Sequence, residues 1–239
     1  VDSTENSLTY NWMSDYPITT YLMSVHASKF SYSYEWYKRV TNPQDSIKME
    51  YYVWEKDFLD TTTDGRNYNS NYAFRNTVEM MEFYSTVFGE YPFDKYGQVA
   101  VQPTWFGGME HQTITTLNRS VLRVFDRWGN NRDYSNQSVI AHEMAHQWIG
   151  DFVTCASWND IWINEGGAVW SEALWDGRNN EDYYYGNIRS EMFTFFWYDN
   201  NQYQPPIYGP SINNVFNYAT TYAKSGVFYH MLSEVLGRE

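Results

Sequence analysis

A net charge of −13 over 239 residues, from 16 Lys and Arg against 29 Asp and Glu, leaves little to neutralise phosphates and excludes a nucleic-acid partner. No apolar run approaches the roughly 20 residues that cross a bilayer, so a transmembrane segment is not expected and the chain reads as soluble, cytoplasmic or secreted/periplasmic. With 43% hydrophobic and 20% aromatic residues the chain can bury a bulky core, and its single cysteine, Cys155, excludes an internal disulfide.

Residues 17–56 contain "ITTYLMSVHASKFSYSY" and "DSIKMEYYVWEK", short runs dense in Tyr, Val, Ile and Thr. They are too few for an independent sheet and are expected to be the C-terminal part of a β-rich domain ending near residue 55. From about residue 70 the spacing becomes helical: "NYAFRNTVEMMEFYSTVFGE" predicts a helix stopped by a glycine and a nearby proline. "QVAVQPTW" and "HQTITTLNRSVL" predict strands on either side of an "FGGME" turn. Helices are predicted over about 136–149, 163–176 and 181–197, then a loop, "NQYQPPIYGPS", and a last helix over about 214–236. Helices following strands predict an α+β domain over residues 56–239. The aromatic stretches "EDYYYGN" and "FTFFWYDN" are expected to pack within the helical core.

Two of the five histidines fall in "VIAHEMAHQWIGDF". On a helix, His142 and His146 project from one face, one turn apart, and Glu143 lies a step round from them. Two imidazoles and one further protein ligand would hold a tetrahedral zinc with one position open to water, whose pKa the ion lowers to near 7. Cys155 is a competitor for the remaining protein ligand and would close the site as a structural one. Glu165 is the better candidate: eighteen residues after His146 allow one helix to end and a second to pack back against it. Gly166 and Gly167 would permit the close approach, and Trp162 and Trp170 would bury the carboxylate. The set His142, His146 and Glu165 with a water is that of a catalytic site.

"HEMAHQW" followed by "NEG" at this spacing resembles the aminopeptidase N family of gluzincin metallopeptidases, as does the intervening "IGDFVTCASWNDIWINEG". "FGGMEHQ" is similar to that family's Gly-x-Met-Glu-Asn motif, and "TYAKSGVFYHML" to the helix carrying its catalytic tyrosine. The resemblance implies a thermolysin-like zincin catalytic domain, one zinc ion per chain, and hydrolysis of the N-terminal bond of peptides that have a free N-terminus. It further implies Glu143 as general base and Tyr222 as donor to the oxyanion. Glu110 would bind the substrate α-amine, Gly107 and Gly108 would let the substrate backbone lie alongside, and His111, where the family has asparagine, would contact the substrate backbone. The family's helical C-terminal domain is expected to be absent from this chain. Two other readings stand beside this one: a thermolysin-like zinc endopeptidase, and a non-catalytic binding module on the zincin fold.

Overall fold

The structure, a computed structural model, describes residues 2–58, 61–63, 66–102, 106–125, 133–202 and 204–237. A small hairpin of β1 (Asp2–Thr4) and β2 (Ser7–Thr9) comes first. β3 (Phe30–Lys38) and β4 (Ser46–Trp54) then pair antiparallel. In β4, Ile47, Met49, Tyr51 and Val53 are buried and alternate with more exposed residues, the period of a strand lying with one face on a core. The single turn α1 (Glu55–Phe58), the short strands β5 (Thr61–Thr63) and β6 (Arg66–Tyr68) and the helix α2 (Ser70–Phe74) follow, α2 being capped by the Asn69 side chain, which accepts from Tyr72 N.

α3 (Thr77–Phe88) buries Thr77, Met80, Met81 and Tyr84, a stripe at i, i+3, i+4 and i+7, and stops at Gly89 with φ 93°. β7 (Tyr96–Val101), β8 (Gly108–Met109), β9 (Thr115–Asn118) and β10 (Arg123–Phe125) complete the strands. The helices α4 (Asp133–Ala145), α5 (Ile161–Gly177), α6 (Glu181–Asn201) and α7 (Ser225–Leu236) make up the second half.

The principal sheet has the order β3-β4-β7-β9-β8, parallel through β4, β7 and β9 and antiparallel at both outer pairs. β10, β6 and β5 form a separate antiparallel sheet. The expected α+β class, a mixed sheet with helices, is the class observed. The expected line at residue 55 runs through the principal sheet, because β4 is hydrogen-bonded in parallel to β7 with Met49 opposite Tyr96. Behind the sheet, Tyr84, Tyr91, Phe93 and Trp148 pack edge to face, Tyr91 lying 5.4 Å and Tyr84 6.1 Å from Trp148. Two hydrogen bonds lock helices to this core: Tyr84 Oη donates to Ser171 O at 2.9 Å, and Trp148 Nε1 donates to Gly89 O at 2.8 Å.

Several local expectations change. Gly108 and Met109 form the edge strand against β9 rather than a turn. Of the strand expected over 111–122 only Thr115–Asn118 remains: a turn closed by Ile114 N donating to His111 O precedes it, and a 3₁₀ turn over Arg119–Leu122 follows. The preceding strand ends at Val101, and residues 103–105 of its expected span lie outside the described residues. In α6, Tyr184 and Ile188 are buried, whereas Phe193, Phe196 and Trp197 face solvent and take no part in a core.

Asp57 and Arg119 link α1 to the turn after β9 through two parallel bonds of 2.6 Å, with Asp57 fully buried. Removing one partner strands the other's charge. Asp57→Ala is expected to lower unfolding free energy by about 3–5 kcal/mol, read from the midpoint of a urea titration.

Candidate metal centre

α4 has two sides. Ile140, Ala141, Met144 and Ala145 are wholly buried in the core, which turns His142, Glu143 and His146 toward a cleft. The helix ends at Ala145, four residues earlier than expected, because its last turn tightens: Gln147 N bonds Met144 O and Trp148 N bonds Ala145 O, each at 3.1 Å. His146 N still bonds His142 O at 3.2 Å, so the two imidazoles keep their common face. His142 Nδ1 donates to Glu172 Oε1 at 2.7 Å and His146 Nδ1 to Ile149 O at 3.0 Å. With both Nδ1–H groups engaged, both Nε2 lone pairs point into the cleft.

The two Nε2 atoms are 3.1 Å apart, and Glu165 Oε2, from α5, is 3.2 Å from that of His142 and 3.3 Å from that of His146. Four tetrahedral ligands at about 2.0–2.1 Å from a zinc ion are separated by about 3.3–3.4 Å, so the triangle fits that ion. The electrostatics agree. Burial opposes charge on all three groups, yet the surrounding carboxylates, Glu110 and Glu165 foremost, raise His146 to about 9, and the two imidazoles facing its oxygen take Glu165 down to about 2. The point where the three atoms converge therefore favours positive charge. Among the described residues this is the one group of His, Cys, Asp and Glu with such geometry; Cys155, half-buried, is not part of it.

Two glycines let α5 pass close to its neighbours, Gly166 to α7 and Gly167 to the turn after α4. A Cβ on Gly166 would lie 2.5 Å from Ser225 Cβ and one on Gly167 2.6 Å from Ile149 Cγ2. The expected screen of tryptophans is not what buries Glu165: Trp162 packs on Phe228 and Trp170 on Tyr229, both of α7, and neither lines the cleft.

Glu143 is buried beside the triangle with Oε2 lacking any hydrogen-bond partner, and burial pushes its carboxyl up to about 8. Its neighbour is Gly108, where a Cβ would sit 2.4 Å from both Glu143 Cγ and Oε1. Glycine at 108 thus makes room for Glu143 itself, whereas a Cβ at Gly107 would meet only Val139 at an ordinary 3.5 Å.

Tyr222 does not sit on a plain helix. The segment expected as helix from 214 begins with a 3₁₀ turn over Ile212–Asn214 and continues as a π-helical turn over Tyr218–Lys224 before α7. Asn217 caps it by accepting from Thr220 N, and the Ser225 hydroxyl donates to the carbonyls of Thr221 and Tyr222 at the junction. The wide turn stacks Tyr222 between Tyr218, at 5.6 Å, and the His142 ring, at 6.2 Å. Burial first, then the charge of Glu165, hold its phenol far above the ordinary range, so it remains a proton donor.

Gly107, Gly108, Glu110, His142, Glu143, His146, Glu165 and Tyr222 line one cleft of about 650 Å³. His111 does not. Its Nδ1 shares a 2.8 Å hydrogen bond with Thr116 Oγ1, which also bonds His26 Nε2 at 2.9 Å, and burial lowers its pKa to about 4. Alternation along the chain after β8 accounts for this: Glu110 faces the cleft and His111 the opposite way. The cleft also contains residues the sequence reading passed over. Glu172 lies seven positions after Glu165, two helical turns along the same face, a spacing that could have identified it. Tyr218, four before Tyr222, carries the same kind of signal. Tyr21 carried none. It reaches the cleft from the segment before β3, where Trp158 packs on it at 5.0 Å. Among the described residues, four glutamates and no Lys or Arg appear in the lining.

Residues 72–239 match the model of the Peptidase family M1 domain. Aminopeptidase 2 of Candida albicans is 28% identical over 189 residues, covering 74% of this chain and 20% of that protein. Leukotriene A-4 hydrolase of Xenopus laevis is 29% identical over 177 residues, 74% of this chain and 25% of its own length. The chain thus spans a quarter or less of these relatives. An M1 zinc metallopeptidase from Deinococcus radiodurans, solved with a Tyr-Ser-Ala substrate, shares the fold with a TM-score of 0.61 at 22% identity, over 86% of this chain and 41% of that one.

Glu172 holds the His142 ring by its outer nitrogen. Glu172→Ala is expected to weaken metal affinity by about 10–100-fold while leaving the fold intact, measured by competition with a chromophoric chelator.

Proposed function

This chain belongs to peptidase family M1, and on that premise we propose that it is a zinc-dependent aminopeptidase that hydrolyses the N-terminal bond of peptides with a free α-amine. The observation that carries the reading is Glu110, buried in the cleft that contains the metal-fitting triangle and Glu143. A protonated amine is the substrate feature a buried carboxylate can pair with, and an internal peptide nitrogen has no charge to offer it. The lining supports this polarity, since among the described residues it offers carboxylates and no Lys or Arg to grip a C-terminal carboxylate.

His142, His146 and Glu165 would hold one zinc ion per chain. When bound, that ion polarises the scissile carbonyl and lowers the pKa of water. Glu143, buried with an unpartnered oxygen, is suited to take a proton from the attacking water and pass one to the leaving amine. Tyr222, held protonated, donates to the oxygen that becomes negative as the carbonyl is attacked. Gly107 and β8 offer an edge along which an extended peptide can lie. We assign β3 and β4 to the catalytic domain, because they belong to its sheet.

Hydrolysis of an aminoacyl anilide and of its N-acetylated form tests the reading. The free-amine substrate is expected to be cleaved and the acetylated one spared; equal cleavage would instead support the endopeptidase reading. Glu143→Gln should abolish turnover while zinc content stays at one per chain, and full activity in that variant would contradict the mechanism. Tyr222→Phe should lower kcat by about 10²–10³ with little change in KM.

A further inference from the structure

We infer that Gln147 is a positioning residue that sets Glu110 against the metal triangle by clamping a strained turn. The inference deepens the reading of Glu110 as the amine partner and rests on it. Gln147 is completely buried and follows His146 directly, so it is carried by the same tightened helix end as a metal ligand. Its side chain is fully engaged. Nε2 donates to Glu110 O at 3.2 Å, to Asp151 Oδ2 at 2.6 Å and, more weakly, toward His111 O at 3.5 Å. Oε1 accepts from Thr113 N at 2.9 Å and from Tyr91 Oη at 3.2 Å. One amide therefore grips both ends of the segment 110–113.

That segment needs gripping. Thr113 has φ 67°, the one non-glycine among the described residues in the left-handed region, and a β-branched side chain is disfavoured there. The turn is closed by Ile114 N donating to His111 O at 2.9 Å, and Gln112 N is tied to Leu22 O at 3.2 Å. A strained conformation persists only where surrounding contacts over-determine it, and the Gln147 amide supplies that constraint from the metal side. The carboxylate that meets the amine and the imidazole that meets the metal thus share one reference point.

The test compares free-amine and N-acetylated anilides on the zinc-loaded chain. Gln147→Met keeps side-chain length and removes both polar ends. It is expected to lower kcat/KM for the free-amine substrate about 10–100-fold, mainly through KM, with zinc content unchanged. Combined with Glu110→Ala it should lose little beyond what Glu110→Ala loses alone, because it acts through that residue. Thr113→Pro, in a half-buried turn outside the core, removes the donor to Oε1 and forbids positive φ, and should raise KM in the same way. Unchanged KM in both variants, or losses that multiply with Glu110→Ala, would overturn the inference while leaving the aminopeptidase reading intact. A wild-type chain that cleaves both anilides alike overturns the reading of Glu110, and this inference with it.

Discussion

Three atoms from two helices, held at 3.1–3.3 Å from one another, impose the central constraint on this molecule. Two imidazole nitrogens and a carboxylate oxygen brought this close in a largely buried setting favour positive charge between them. The surroundings therefore specify both direction and charge: outer hydrogen bonds to Glu172 and Ile149 aim the rings, and burial removes competing water. Packing is organised to the same end. α5 passes close to the turn after α4 because Gly167 puts no side chain against Ile149, and close to α7 because Gly166 puts none against Ser225. Trp148, just beyond the second histidine, anchors the helix end in the aromatic core through Gly89.

Around this centre the chain accepts local costs. Glu143 keeps an oxygen without a partner, a backbone turn holds Thr113 at positive φ, and Tyr218–Lys224 adopts the rarer π-helical winding. Glu143 and the π-helical turn line the cleft, and Thr113 is joined to it through Gln147 and Glu110. The positive φ and the π-helical turn are conformations that persist only where surrounding contacts hold them.

How much was legible in the sequence depended on whether chemistry and spacing coincided. His142 and His146 combine a scarce residue with a helical interval, so their common face could be read from the chain alone. Glu165 was reachable because the following glycines made a close helix crossing plausible, although the tryptophans credited with burying it face α7 instead. Tyr222 was distinguishable among 23 tyrosines only by resemblance, and nothing in the letters announced a π-helical turn, which depends on hydroxyl bonds from Ser225. The sheet was the hardest part to foresee. β4 reads as an edge fragment until its parallel partner, β7, is known, and parallel pairing joins segments that share no local signal. His111 shows the limit of motif matching: strand-like alternation turns it away from its neighbour Glu110, toward Thr116 and His26.

The unbalanced lining of the cleft has a reach beyond contact distance. Carboxylates recessed between low-dielectric walls focus their field outward, and the chain as a whole carries a net charge of −13. At physiological ionic strength that field extends about 8 Å past the opening. Cationic molecules are gathered before they touch the protein, and anionic ones are turned aside at the same range. Association therefore slows as salt is added, and a portion of molecular selection takes place during diffusion, ahead of any fit.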